Sequence, residues 1–304
     1  MGTDNPLVTV VIPTYNRLQF LMQAVNSVLN QSYNNWELII ADDGSTDGTS
    51  VFIRSINDPR IRLLELPHTG NIAWLRNMGA QSGKGKWISF LDSDDIWLPR
   101  RLEIQLNMFQ NSKARWGFGR FEHMNERLQS IPAKAGEFFA FNGWIAKEVV
   151  STTAAVAIGT LMIERNLFEE VGGFNTDHSL IYREDYDLVL RLALKAEAVS
   201  TDELMVLIRE HPGRSTNQLT DSHERTAESL QRFLLLQPGE ALKKIARKRR
   251  GYHLAEAATF NIARKKYLPA IRQLSLALIN GDTVKHLLSA VNRGIQYDSK
   301  QLIT

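Results

Sequence analysis

The sequence predicts an α/β fold, a mostly parallel sheet flanked by helices, followed by an all-helical C-terminal extension. Three observations carry this expectation. Short β-branched apolar runs alternate with helical-period stretches through the first 110 residues, as in a parallel sheet covered by helices. Polar, acid-bearing motifs follow the strand-like runs directly, where open parallel sheets bind ligands. From about Asp221 onward the pattern is almost wholly helical. The expected division is 1–218 for the α/β domain and 219–304 for the extension.

The elements follow in order. Leu7 to Ile12 is a β-branched run suited to a buried strand. Leu18, Leu21, Met22, Val25, Val28 and Leu29 recur at helical spacing. Glu37 to Ala41 reads as a second strand and Thr46 to Ile53 as a short helix, with Ser45 or Thr46 as its cap. Arg60 to Leu66 is a third strand. Ala73 to Gln81 is helical and stops before Gly83 and Gly85. Trp87 to Leu91 is a fourth strand, and Pro99 opens a helix to about Gln110, a position where proline is tolerated. Residues 115–160 carry scattered aromatics, among them Trp116, Phe118, Phe139 and Trp144, and read as mixed strands and loops. Arg165 to Val171 is a short helix stopped by Gly172-Gly173. Asp185 to Ala196 is another helix, and Leu204 to Ile208 a returning strand. In the extension, Tyr252, Ala255, Ala258 and Ile262, then Tyr267, Ile271, Leu274 and Leu278, predict two packed helices, the second with Pro269 in its first turn.

Composition narrows the function classes. Hydrophobic residues at 43% and charged residues at 23% fit a soluble chain with a real core. No apolar run is long enough to cross a bilayer, and Met1 to Pro6 has no signal-peptide pattern. With no cysteine there is neither a disulfide framework nor a thiolate metal site, and a cytoplasmic location is expected. Charge is unevenly spread. Residues 243–272 hold ten Lys or Arg against Glu256, a net of +9 within a chain totalling +3, which leaves −6 for the rest. A basic segment on an acidic body implies an anionic partner or a solvated helix face. Anionic lipid is one candidate partner, which would put the chain at the inner face of the membrane through residues 243–272. Nucleic acid is not expected, because no helix-turn-helix, zinc-finger or aromatic RNA-binding signature is present.

Four motifs fall at strand or loop ends on the expected ligand edge. They are Pro13-Thr14-Tyr15-Asn16-Arg17, Asp42-Asp43-Gly44-Ser45-Thr46-Asp47, Asp92-Ser93-Asp94-Asp95 and Arg183-Glu184-Asp185. Each has a plain structural alternative: a core-edge tyrosine at Tyr15, an Asx turn at Asp42-Asp43-Gly44-Ser45, helix capping at Asp94 and Asp95, and first-turn acids at Glu184 and Asp185. Asp92, Asp94 and Asp95 together present oxygen ligands of the kind a hard divalent cation takes.

The order PTYNR, DDGSTD, LRN-x-G, FLDSDD and RED-YDL closely resembles family 2 inverting glycosyltransferases with the Rossmann-like GT-A fold, of the bacterial cell-surface glycan type. Leu75 stands where the common form has alanine. The resemblance covers roughly residues 7–215 and implies a transfer of sugar from a nucleotide-diphosphate donor, UDP-sugar favoured, to an acceptor hydroxyl. It implies that Tyr15 stacks near the base, that Asp43 accepts a hydrogen bond from it, and that Pro13 and Thr14 shape the wall, with Arg17 in the same motif. Asp92-Ser93-Asp94 is the DxD element, Asp92 facing the ribose and Asp94 the cation, Mn²⁺ or Mg²⁺. Arg76 pairs with phosphate or with the acids. His211 ligates the metal or touches the diphosphate, with Arg214 beside it. Asp185 is the implied base, Glu184 its neighbour. The acceptor, a glycan or a lipid-linked molecule, is expected at residues 116–165 and the loop from Phe174 to Arg183.

Two other classes compete. A nucleotidyltransferase has a Gly-rich loop after the first strand, and Pro13-Thr14-Tyr15-Asn16-Arg17 is not one. A non-catalytic sugar-nucleotide scaffold would have lost the metal acid or the base, and Asp94 and Asp185 are both present. A dinucleotide oxidoreductase is disfavoured because no G-x-G-x-x-G follows the first strand.

Overall fold

The structure, a computed structural model, describes residues 5–110, 112–131, 138–213, 222–282 and 284–301, with side chains described through residue 296. In chain order its elements are β1 (Val8–Thr14), α1 (Leu18–Leu29), β2 (Trp36–Asp42), α2 (Thr49–Ser55), β3 (Ile61–Glu65), α3 (Ile72–Ser82), β4 (Trp87–Phe90), β5 (Ile96–Trp97) and α4 (Arg101–Gln110). There follow β6 (Trp116–Met124), β7 (Ser130–Ile131), α5 (Ala146–Val150), β8 (Met162–Glu164), α6 (Arg165–Glu170), α7 (Glu184–Lys195) and β9 (Ala198–Arg209). Four helices close the chain: α8 (Ser222–Leu235), α9 (Glu240–Ala263), α10 (Tyr267–Ile279) and α11 (Val284–Gln301). These elements fall into two compact units. One comprises Met1–Ile145, Ala154–Thr176 and Arg191–Pro212, the other Ala146–Thr153, Asp177–Leu190 and Gly213–Thr304.

The first unit holds all the described strands in one sheet, ordered β3-β2-β1-β4-β8-β6-β9-β5, with β7 paired to β6. The first four strands are parallel. β8 is antiparallel to both β4 and β6, and β9 runs parallel to β6. The carboxyl ends of β1, β2, β3, β4, β6 and β9 therefore share one edge. Alternation along β1 sets the core. Val8, Val10 and Ile12 pack with Leu21, Val25 and Val28 of α1 and with Leu102, Leu106 and Phe109 of α4. Val11 points to the opposite face, where α3 lies. There Gly79 lets the helix approach, since a Cβ at this position would overlap Val11 Cγ1.

Two strands go beyond what sequence pattern predicts. Ile96–Trp97 forms β5, antiparallel to β9, so Asp94 and Asp95 cap no helix: α4 begins only at Arg101. β9 starts six residues before the expected Leu204, because β6 beside it is long enough to pair with Ala198 to Arg209. Of the aromatics in 115–160, Trp116 and Phe118 are core, whereas Phe139 and Trp144 are exposed. Arg101 is fully buried. Its guanidinium donates to Ser89 Oγ at 2.9 Å and to the carbonyls of Gly159 and Leu161 at 3.1 and 3.0 Å. It also lies 3.9 Å from the centre of the Trp97 ring, and burial lowers its pKa well below the arginine norm.

In the second unit α9 packs against α8, α10 and α11. The buried contacts are made mainly by small residues: Ala227, Ala255, Ala277 and Ala290 with Leu254 in one cluster, Ala258 and Ala270 with Ile262 in another, and Leu276 and Leu274 of α10 pack partly buried against them. Gly294 fits against the Thr259 carbonyl, where a Cβ would lie only 2.7 Å from the oxygen. The stripe expected to pack on α10 does so only in part. The helix buries Ala270, Gln273 and Ala277, Leu274 lies partly buried against the second cluster, and Tyr267, Ile271 and Leu278 are exposed. Close helix approach favours the alanine face, and those three side chains are turned outward.

The contact between α3 and β1 yields a stability prediction. Gly79→Ala gains about 1 kcal/mol of helix propensity but overpacks Val11, so the net effect is destabilising by roughly 1–2 kcal/mol. Chemical denaturation should show a lower midpoint for Gly79→Ala and partial recovery in the double variant with Val11→Ala. An unchanged midpoint in the single variant would remove the packing argument.

Candidate active site

The shared strand edge gathers most of the motif residues. β1 ends in Pro13 and Thr14, in register with Ala41 and Asp42 of β2. The loops that follow are laced together. Asn16, at a φ of +48°, accepts from the Thr46 amide at 2.8 Å and donates its own amide to Ser45 Oγ at 2.9 Å. Asp47 accepts the Leu18 amide at 2.8 Å. Asp42 accepts from the Ser45 amide at 3.2 Å, and burial pushes its carboxyl up against that hydrogen bond.

Tyr15 is half exposed and stacks on His68, with ring centres 4.1 Å apart and planes 19° from parallel. Beside this pair, the buried Asp43 carboxylate organises the loop after β3. Its Oδ1 accepts from the Thr69 amide at 2.8 Å and the Thr69 hydroxyl at 3.1 Å. Its Oδ2 accepts from the Gly70 amide at 2.9 Å and lies 2.9 Å from His68 Nδ1. These four contacts match the acceptor capacity of a carboxylate.

Asp92, Asp94 and Asp95 each offer one oxygen, all within 4.8 Å of one another. Three carboxylates so close repel unless cations face them, and cations do. Arg76, buried on α3, donates to Asp92 Oδ1 at 2.6 Å. Arg17 Nη1 donates to Asp94 Oδ2, and His211 Nε2 lies 3.0 Å from the same oxygen. Ser93 is buried between the two acids. Asp95 takes a different role. It accepts the backbone amide of Arg209 at 2.9 Å, which joins the loop after β4 to the end of β9.

Sequence reasoning missed several residues here. Arg209 is almost wholly buried. It donates to the Asp94 carbonyl at 2.8 Å and to Gln23 Oε1 at 2.8 Å. It sits 5.0 Å over the Phe20 ring, and burial draws its pKa below the arginine norm. Phe20 also contacts His211, ring centres 4.8 Å apart. Asn77 clasps the Phe174 backbone, donating to its carbonyl and accepting its amide, both at 2.8 Å. A charged residue closing an apolar strand at the ligand edge was a usable signal for Arg209, and the same strand-end logic after β3 points to His68.

Glu184 and Asp185 lie in the second unit, at the start of α7. Glu184 is buried and Asp185 half-buried. Asp185 Oδ1 accepts its neighbour's amide, that of Tyr186, at 2.7 Å, and burial raises the Tyr186 hydroxyl pKa to about 12. Arg183 Nε donates to Thr226 Oγ1 at 2.9 Å, so the residue before the acids is tied to α8. Arg214 lies outside the described residues.

Known proteins resemble this chain in sequence and fold. The chain is 31% identical over 189 residues to UDP-Glc:alpha-D-GlcNAc-diphosphoundecaprenol beta-1,3-glucosyltransferase WfgD of Escherichia coli, a match covering 62% of this chain and 70% of WfgD. Matches to three Rickettsia glycosyltransferases cover only 23–27% of those longer proteins. Among solved structures, S. aureus TarS 1–349 in complex with UDP-GlcNAc superposes with a TM-score of 0.72 at 18% identity, covering 96% of this chain and 89% of that one. The mannosyltransferase PcManGT of Pyrobaculum calidifontis, in complex with GDP-Man and Mn²⁺, gives 0.59 at 16% identity, covering 99% of this chain and 87% of that one. The fold is that of the GT-A glycosyltransferases. The profile described as glycosyl transferase family 2 matches residues 9–172, more than half of the chain and all three strand-end motifs of the first unit, and the chain belongs to that family.

Proposed function

We propose that this chain transfers a sugar from a nucleotide-diphosphate donor, a UDP-sugar by preference, to an acceptor hydroxyl with inversion, using a divalent cation. One observation carries the proposal: Asp94 sits among three clustered carboxylates with Arg17 and His211 both on its Oδ2. The oxygen-rich donor set fits Mn²⁺ or Mg²⁺. Asp92, Asp94 and His211 would hold the ion, which when bound neutralises charge on the leaving diphosphate.

The remaining roles fall to this chain's own side chains. Tyr15, whose ring carries His68 in a stack, offers a flat face for the base when His68 gives way. Asp43 is filled by four donors, and of these the half-exposed His68 side chain would turn aside. A uracil N3–H would replace it at Oδ2. Pro13 and Thr14 wall the base site, while Arg17 and Arg76 stand ready to turn from the acids toward phosphate oxygens. Asp185 is the base, with Glu184 fixing the start of its helix. The acceptor oxygen bonds to the anomeric carbon as the bond to the diphosphate oxygen breaks on the opposite face. The hydroxyl proton passes to Asp185 and the nucleoside diphosphate leaves with the electron pair.

The likeness to WfgD, whose name gives a UDP-glucose donor and a lipid-diphosphate acceptor, supports a glycan or lipid-linked acceptor in cell-surface polysaccharide or glycolipid synthesis. No helix among the described residues is long and apolar enough to cross a membrane. We place the protein in the cytoplasm, peripheral at the inner membrane face through residues 243–272. Residues 1–218 would be the transferase domain and 219–304 its helical extension.

Two measurements test the assignment. Titration of UDP, GDP, TDP and CDP should raise the melting temperature for one nucleotide, in a Mn²⁺-dependent way. Saturation near 100 Kd corresponds to about 2.7 kcal/mol. Asp94→Asn should abolish that shift, and its persistence would exclude Asp94 as a ligand. Asp185→Asn should keep the shift but lose transfer by about 10²–10⁴-fold, the usual share of a general base. Wild-type turnover in that variant would assign the proton to another group.

A further inference from the structure

The helical unit contains a cleft that the transferase reading leaves unused. It has a volume of about 760 Å³ and lies among α8, α9 and α10, a size that suits a small ligand. Its apolar lining includes Leu254, Leu268 and Leu276, and three guanidiniums, of Arg225, Arg250 and Arg272, enter it. Arg225 Nη1 is spent on the carbonyls of His178 and Ile181. Arg225 Nε and the Nε of the half-buried Arg250 are both enclosed without a hydrogen-bond partner among the described residues. Of the two carboxylates on the wall, Glu228 is held by Arg232 at 2.9 Å and Glu224 is exposed. A buried guanidinium donor left open is costly, and an incoming anion would satisfy it.

The surface around the cleft is of a matching kind. Leu268, a lining residue, is itself 83% exposed. On the same helix Ile271, Leu278 and Ile279 are also exposed, as are Val284 and Leu288 of α11. Such an apolar face is unusual for a surface in water. Arg264, Lys265 and Lys266 link α9 to α10, Arg264 as the C-cap of α9, and add exposed positive charge beside the apolar face of α10. Apolar side chains beside exposed positive charge match an anionic bilayer surface.

We infer that this cleft binds the phosphate headgroup of a membrane lipid, with Arg250 and Arg272 on the phosphate and Leu254, Leu268 and Leu276 against the start of its acyl chains. The inference rests on the peripheral placement of residues 243–272 and adds a defined site to it. A headgroup seated in the cleft lays the exposed face of α10 against the bilayer.

The test is co-sedimentation of the full chain with phosphatidylcholine vesicles, with and without phosphatidylglycerol. It is run at low salt and at about 0.5 M salt, where exposed charges more than a few ångströms apart are screened. Binding to the anionic vesicles should survive high salt in the wild type and in Lys248→Gln, an exposed site on α9. Arg250→Gln and Leu268→Asn should each weaken it at least tenfold. Arg272→Gln, on the exposed side of α10, supplies a variant that folding cannot confound, and circular dichroism confirms the others. Decyl phosphate below its micelle concentration should compete, and inorganic phosphate at equal concentration should not. Equal competition by both would make this a free-phosphate site and overturn the lipid. Binding lost at high salt, or weakened equally by Lys248→Gln and Arg250→Gln, would show a diffuse polybasic attraction and remove the cleft while keeping the membrane contact. No binding to anionic vesicles at low salt would remove both.

Discussion

The first unit depends on one electrostatic arrangement, the Asp94 carboxylate held between Arg17 and His211. Arg17 follows β1, Asp94 follows β4 and His211 follows β9, so a single side chain ties together three strand ends that are distant in sequence. Without the cations, three acids within 4.8 Å would push one another apart. Arg76 on Asp92 and the Arg209 amide on Asp95 complete the balance. The result is a set of negative groups fixed before any ligand arrives, which is the preorganisation that electrostatic catalysis requires. It also explains why Arg209 is buried at all. A buried guanidinium is tolerated where its donors are used, and Arg209 spends them on the Asp94 carbonyl, Glu126 carbonyl and Gln23.

In the proposed reading Asp43 serves fold and site together. Its carboxylate shapes the 68–70 loop through two backbone amides, and that loop carries the His68 ring onto which Tyr15 stacks. Replacing Asp43 would therefore disturb the stacking face even if the base never touched the carboxylate. Loss of nucleotide binding in such a variant cannot by itself separate the two roles. Substitution of His68 can, because it leaves the Thr69 and Gly70 contacts in place.

Much of this was legible in the sequence for identifiable reasons. The parallel strands are buried on both faces, so they read as continuous apolar runs, and their carboxyl ends follow from the alternation with helices. The acid motifs stand out because carboxylates cluster there at the expense of repulsion. What was hidden depended on partners distant along the chain. β5 is two residues long and exists only because β9 passes beside it. Arg209 looks like an ordinary charge ending a strand until Asp94 and Gln23 are brought to it. The outward stripe of α10 was misread because large apolar residues at helical spacing usually face a core. Here alanines at 270 and 277 allow a closer helix contact than leucines would.

That reversal bears on why the helical unit holds its charge. Ten Lys and Arg in 243–272 repel one another: Lys243 pairs with Glu240, while Lys244, Arg247 and Lys248 stand exposed on α9. A helix face selected for solubility alone would mix both signs. A face selected for packing would bury its leucines. α9 and α10 do neither in full, since positive charge is concentrated and Leu268, Ile271, Leu278 and Ile279 of α10 point outward. Alanine packing is what permits this, because it holds the helices together without drawing on those side chains and leaves them available for a surface outside the unit.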